Sequence, residues 1–427
     1  MYPSTLGVPA ILCIALAAAY RPWSYNGEPT PALHLWLAVF VAATGAQLLP
    51  LPPLLLTVIS PSLRATVAQL SLAVPSWLTL SIDERATGVR LLINVGLVIV
   101  FLAALRVFAT GGVRLFARGV GMMGLLLSLI ALAQDSTANG LMYWRWKPLT
   151  EGTPPFGPFV NRNHFATWVV LALPFIVGYL AAHSGAHRAR VTPPTVPFRR
   201  RLVTFFDGRA ALLTASACVL VVALFATLSR SGLFGMTAAI GIAVLLRIRH
   251  DGASHGRAIS WITAGVVAAI LLTLVSTPKE SIVGRLARTR VSAEDRFVIW
   301  NDTVPIVRAF WLTGTGAGTY ETSMLVFQRA SRVARFNQAH NHYLQALSEG
   351  GVLLCAPLFL ALALFVRQAW ARVASDQSGM YWIRAGAACG LSGAAAQSVW
   401  ETGLVTPANA ALAAVLCAVV IHEPRRH

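Results

Sequence analysis

The chain has 427 residues, 56% of them hydrophobic and 12% charged, with a mean hydropathy of +0.64 and a formal net charge of +18. Charge this sparse, with apolar runs of spanning length, excludes a water-soluble globule and a transmembrane β-barrel, leaving an all-α polytopic membrane protein. Of the 34 bases 32 are arginine, whose planar fork suits phosphate; they are scattered between apolar runs, which argues against a nucleic-acid partner.

In chain order the spanning runs are 5–20, 34–60, 90–108, 119–134, 165–182, 210–228, 232–247, 258–276, 343–366, 384–400 and 407–422. The first lacks the basic n-region of a cleavable leader and reads as a retained helix. The run 34–60 is interrupted by "LLPLPPLLL", which splits it into two short passes or leaves it as one, so eleven or twelve crossings are expected. The five cysteines lie inside apolar runs with no metal-ligand or CxxC spacing and read as small buried hydrophobes.

Arginine placement sets the orientation. Arg106, Arg114 and Arg118, the connector around Arg188–Arg209, Arg247, Arg249 and Arg257, then Arg367, Arg372 and Arg384, and finally the "EPRRH" tail fall in alternate loops, which are assigned to the cytoplasm. The other side receives 61–89, 135–164, the turn near 229–232, the long loop 277–340 and the turn near 401–406. The long loop is itself basic, which points to an anionic ligand on that side.

Four polar stretches gather on that face. "PFGPFVNRNHFATW" (155–168) opens a helix with Asn161, Arg162, Asn163 and His164; an asparagine cap and a snorkelling arginine are the plain alternative to a ligand role. "TLSRSGLFG" (227–235) holds Arg230 between two apolar runs, where a guanidinium is costly unless it meets a polar cavity or the interface. "SAEDRFVIWNDTVPIVRAFWLTGTGAGTYE" (292–321) sets Arg296 and Trp300 one helical turn apart and ends in a Gly-rich turn around Gly316, without the lysine of a nucleotide P-loop. "RFNQAHNHYLQALSEGG" (335–351) carries His340, Asn341, His342 and Tyr343 into the next span, expected as one continuous helix from about 343. Histidine suits proton abstraction near neutral pH. No acidic pair has the spacing of a metal site, so neither metal nor cofactor is implied.

The ordered set "NRNHFA", "SRSG", "DRFVIW", "GTGAGTY" and "AHNHYLQALSEGG" resembles the O-antigen ligase and polymerase family of bacterial inner-membrane glycosyltransferases, over roughly residues 155–366. The resemblance implies a C-type glycosyltransferase-like helical fold of about twelve spans. Residues 1–134 would be N-terminal transmembrane helices and 135–427 the family core, with the periplasmic loop 277–340 as a lid. It implies a metal-independent, inverting enzyme that takes a glycan from undecaprenyl diphosphate at the periplasmic face. The acceptor would be lipid A–core, for a ligase, or a second lipid-linked glycan, for an O-antigen or exopolysaccharide polymerase.

By the same resemblance the essential loop histidine falls on His340. The diphosphate-holding arginines fall on Arg230 and Arg296, with Arg162 helping, and His342 occupies a variable position. A non-enzymatic lipid-glycan transporter is the remaining alternative; it would place polar residues near mid-membrane rather than at one face.

Overall fold

The computed structural model describes residues 31–71, 73–147, 155–191, 208–251, 296–330 and 335–423. The described residues form helices and their connections: α1 (Pro31–Ala46), α2 (Pro53–Ile59), α3 (Leu63–Leu70), α4 (Glu84–Ala109), α5 (Val113–Thr137), α6 (Arg162–Val191), α7 (Gly208–Ala226), α8 (Arg230–Asp251), α9 (296–309), α10 (Tyr320–Phe327), α11 (His342–Ser375), α12 (Met380–Gln397) and α13 (Pro407–Ile421). Among them six are long and apolar enough to cross a bilayer: α4, α5, Arg162–Ser184 of α6, α7, Arg230–His250 of α8, and α11. Their outward faces carry exposed Leu92, Leu115, Met122, Leu126, Phe359 and Leu362, a load that suits lipid and not water.

These spans fall where hydropathy puts them. The runs 384–400 and 407–422 correspond to α12 and α13, and the runs 5–20 and 258–276 lie outside the described residues. The two-pass reading of 34–60 is corrected. α1 ends at Ala46, and α2 has seven residues, a rise of about 10 Å that cannot cross a membrane. Prolines 50, 52 and 53 explain the break, since each removes an amide donor or clashes with the preceding turn.

The chain divides into two compact units. The first comprises Met1–Ala103, Thr277–Arg367 and Ser398–Thr402. Its core joins Leu56 of α2 and Leu63 of α3 to Leu78 and Leu80, Ile299 and Ile306 of α9, Phe310, Tyr320 and Met324 of α10, and Ala339. The described part of the 277–340 loop is therefore a folded helical layer. Tyr320 is buried there with its hydroxyl 2.7 Å from that of Thr303, and burial pushes its phenol well above the usual range, so it stays neutral.

The expected continuous helix from 343 is also corrected. Gly351 has φ 53° and ψ −158°, which breaks α11 about two and a half turns in. The freed backbone groups are re-bonded by the Gly-rich turn. Thr315 and Gly316 N–H donate to Ser348 and Glu349 carbonyls at 3.0 Å, and Val352 and Leu353 N–H donate to Trp311 and Leu312 carbonyls at 2.8 and 2.9 Å. Backbone meets backbone so closely that a Cβ on Gly314 would lie 2.2 Å from Glu349 O. A broken helix in an apolar chain is tolerable when every released donor and acceptor finds such a partner.

The second unit comprises Ala104–Ser276, Gln368–Gln397 and Gly403–His427. Its centre is α12, antiparallel to both α6 and α8. A Cβ on Gly386 would meet Pro174 O at 2.4 Å, one on Gly390 would meet Leu171 O at 2.5 Å, and one on Gly393 would meet Gly235 O at 2.6 Å. Small residues in this series let three helices approach at backbone distance, which is how apolar helices gain packing where lipid competes equally for their side chains.

Candidate functional site

Within the first unit, His340 sits at a bend before α11 with φ 49°, a left-handed conformation uncommon for residues other than glycine. Its surroundings are specific. Ala339 N–H donates to Gln345 Oε1 at 3.1 Å, and the Trp300 indole N–H donates to Ala339 O at 2.9 Å. Asn341 caps α11, its Oδ1 accepting from Leu344 N–H at 3.0 Å. Gln345 in turn donates to Glu349 Oε1 at 3.0 Å, and Gly318 N–H donates to Glu349 Oε2 at 2.7 Å. The Gly-rich turn thus anchors the helix that anchors the histidine, and the Gly316 N–H is committed to Glu349 O rather than to a ligand.

The turn Ser398–Thr402 completes this site. His342 N–H donates to Ser398 O at 2.8 Å, the Thr402 hydroxyl donates to Gln338 Oε1, and the Trp400 and Trp300 rings lie 5.3 Å apart. Between them Glu401 approaches His340 Nδ1 with Oε1 at 3.4 Å and Arg296 Nη2 with Oε2 at 3.8 Å. The Glu401 side chain has no exposed surface, whereas His340 is 29% and Arg296 25% exposed. A buried carboxylate therefore stands behind an accessible imidazole and an accessible guanidinium. Phe297, on the same turn of α9 as Arg296, is exposed and extends the aromatic surface, its ring 5.2 Å from Trp300.

The second unit holds the other sequence candidates. Asn161 caps α6, its Oδ1 accepting from Asn163 N–H at 2.8 Å, so Arg162 is the first helical residue. His164 pairs through Nδ1 with the Thr406 hydroxyl at 2.8 Å, and its carbonyl accepts from Asn409. Ser229 occupies the cap of α8, accepting from Gly232 N–H at 3.2 Å, and Arg230 is the first helical residue there, with an exposed side chain. Gly232 allows close packing on α6, since a Cβ there would meet Ala166 Cβ at 2.6 Å. That approach sets two helix N-termini side by side, each opening with an arginine, an electropositive pairing suited to an anion.

Sequence reasoning brought Arg296, Trp300, His340 and the asparagine caps to notice, and the structure places the first three in one cluster. It missed Glu401. The available signal was an acid in a short turn between two apolar runs, where an ionisable group needs a reason to be. His342, ranked below His340, and Tyr343 lie on the first turn of α11, Tyr343 exposed.

Fold and site together define a multi-pass helical membrane protein with a histidine–carboxylate–arginine cluster. Residues 215–359, about a third of the chain, match the family model described as O-antigen ligase. The matched stretch, which includes Arg230, Arg296 and His340, is thus similar to the O-antigen ligase family. That match supports a ligase- or polymerase-type, glycosyltransferase-like activity on lipid-linked glycan and lipid A–core substrates in general. No curated protein is similar enough to the chain to match it.

Proposed function

We propose that the protein transfers a glycan from undecaprenyl diphosphate to an acceptor sugar hydroxyl at the periplasmic face of the bacterial inner membrane, as an O-antigen ligase acting on lipid A–core. The observation that carries this reading is the grouping of His340 and Arg296, both inside the segment that matches the family, around the buried carboxylate of Glu401, which lies beyond that segment. The core assignment to 135–427 and the C-type glycosyltransferase-like architecture belong to the same reading.

In this mechanism His340 Nε2 accepts the proton of the acceptor hydroxyl as its oxygen attacks the anomeric carbon. The bond from that carbon to the diphosphate oxygen breaks, and the electron pair leaves with the diphosphate. Arg296 stabilises the charge that builds there. The resemblance of "SRSG" and "NRNHFA" adds Arg230 and Arg162 as further candidates for binding phosphate. Attack opposite the leaving group inverts the anomeric configuration. The site residues supply base and cations, so the reading requires no metal or nucleotide.

The test is a purified-protein assay with undecaprenyl-diphosphate-linked glycan and two separate acceptors, lipid A–core and a second lipid-linked repeat. Product on lipid A–core supports the ligase. Product on the lipid-linked repeat alone makes the protein a polymerase. Formation of no glycosidic bond with either would reject an enzyme in favour of a transporter.

A further inference from the structure

We infer that Glu401 is a positioning residue that orients both the His340 imidazole and the Arg296 guanidinium for the transfer reaction, an assignment that rests on the function proposed above. Three features of the site argue for it. The first is burial. A carboxylate with no exposed surface, in a chain with few acids, is expensive to desolvate and persists only where charged or hydrogen-bonding partners offset the cost. Here Oε1 accepts from Thr402 N–H at 3.0 Å and faces His340 Nδ1, and Oε2 faces Arg296 Nη2.

The second is which histidine nitrogen it meets. A carboxylate at Nδ1 fixes the proton on that nitrogen, leaving Nε2 with its lone pair. A base that must take a proton from an acceptor hydroxyl needs that tautomer. The apposition of 3.4 Å is long for a hydrogen bond, as such contacts often are before substrate binds. The third is the asymmetry of exposure. His340 and Arg296 are both reachable from solvent and Glu401 is not, so substrate can touch the imidazole and the guanidinium while the carboxylate acts through them.

The turn that carries Glu401 is anchored independently of the carboxylate. His342 N–H on Ser398 O, the Thr402 hydroxyl on Gln338 and the Trp400–Trp300 contact hold the backbone on both sides of residue 401. Replacing Glu401 by the isosteric amide should therefore leave the turn in place and remove the charge.

The experiment compares wild type, Glu401→Gln, Glu401→Asp, His340→Ala and the exposed-pair control Glu321→Gln, all full-length and detergent-purified. The probes are undecaprenyl-diphosphate-linked glycan and lipid A–core, with kcat, KM and thermal unfolding measured for each. Glu401→Gln is expected to lower kcat on the order of 10²-fold or more, with acceptor KM within about threefold of wild type and the unfolding temperature nearly unchanged. Glu401→Asp, which keeps the charge, should recover at least about tenfold of that loss. Glu321, which pairs with Arg335 at an exposed site, should be replaceable without effect.

A Glu401→Gln rate within about threefold of wild type overturns the inference while His340→Ala remains inactive. So does a loss in both Glu401 variants that tracks lowered unfolding temperature with no recovery by aspartate, because that pattern marks a structural acid. Activity of His340→Ala near the wild-type rate would instead remove the proposed function on which the inference rests.

Discussion

At residue scale the account turns on a few side chains whose burial and partners differ from what surrounds them. Arg296 reaches solvent while one edge faces a buried carboxylate, so the guanidinium is accessible to an anion. Arg296→Ala is expected to lower the transfer rate about 10²- to 10³-fold, the usual cost of losing one donor aimed at developing charge, with little change in unfolding temperature. Steady-state kinetics on the purified variant checks this; a rate unchanged by the substitution would take Arg296 out of the site. His340 and Arg296 were legible from the sequence because an imidazole and a guanidinium in polar stretches beside apolar runs are conspicuous. Glu401 was not, since its partners lie 61 and 105 residues away and nothing local announces them. The asparagines flanking those stretches illustrate the opposite case. Asn161 and Asn341 each cap a helix, so their polarity is accounted for by the backbone they satisfy.

At the scale of elements the informative feature is the break in α11. The sequence shows Gly350-Gly351 and, separately, "GTGAGT", but periodicity cannot reveal that one pairs with the other, because that pairing is a tertiary event. Once formed, it couples the Gly-rich turn to the bend that presents His340, through Glu349 and Gln345. Gly351→Ala places a side chain at φ 53° and 2.5 Å from Gly314 N, and Gly314→Ala drives a Cβ to 2.2 Å from Glu349 O. Each should destabilise the folded protein by about 2–4 kcal/mol. The same changes should lower activity through the misplaced histidine. Thermal unfolding of the detergent-purified variants reads the first effect, and an unaltered melting temperature would show that the turn and helix do not depend on this contact.

The packing of α12 belongs to the same scale. Gly386 and Gly390 leave no room for a side chain against α6. Gly386→Leu is expected to force α12 off α6 and sharply reduce the yield of monodisperse protein on size-exclusion chromatography. Recovery at the wild-type level would contradict the close approach. Hydropathy marked the apolar run 384–400, but the small residues within α12 that set its depth of packing carry no hydrophobic signal.

For the whole molecule, length and composition were enough to read a polytopic helical membrane protein, because twenty-residue apolar runs have few other fates. The limits of that reading lie where proline interrupts a run, as between Ala46 and Pro53, and where a loop folds into a core of its own. The described part of the 277–340 loop packs α9 and α10 on α2 and α3, using Ile299, Ile306, Phe310 and Tyr320, apolar residues too widely spaced to register as a span. Such a folded layer supports His340 and Arg296 from one side, as the proposed reaction requires if the two are to hold their geometry.

The most direct test of the central claim is glycan transfer from labelled undecaprenyl-diphosphate-linked donor to lipid A–core by purified wild-type and His340→Ala protein, side by side. The account predicts a labelled lipid A–core product with wild type and a rate at least about 10³-fold lower with the variant, both proteins being equally folded. A His340→Ala protein that transfers glycan at close to the wild-type rate would contradict it.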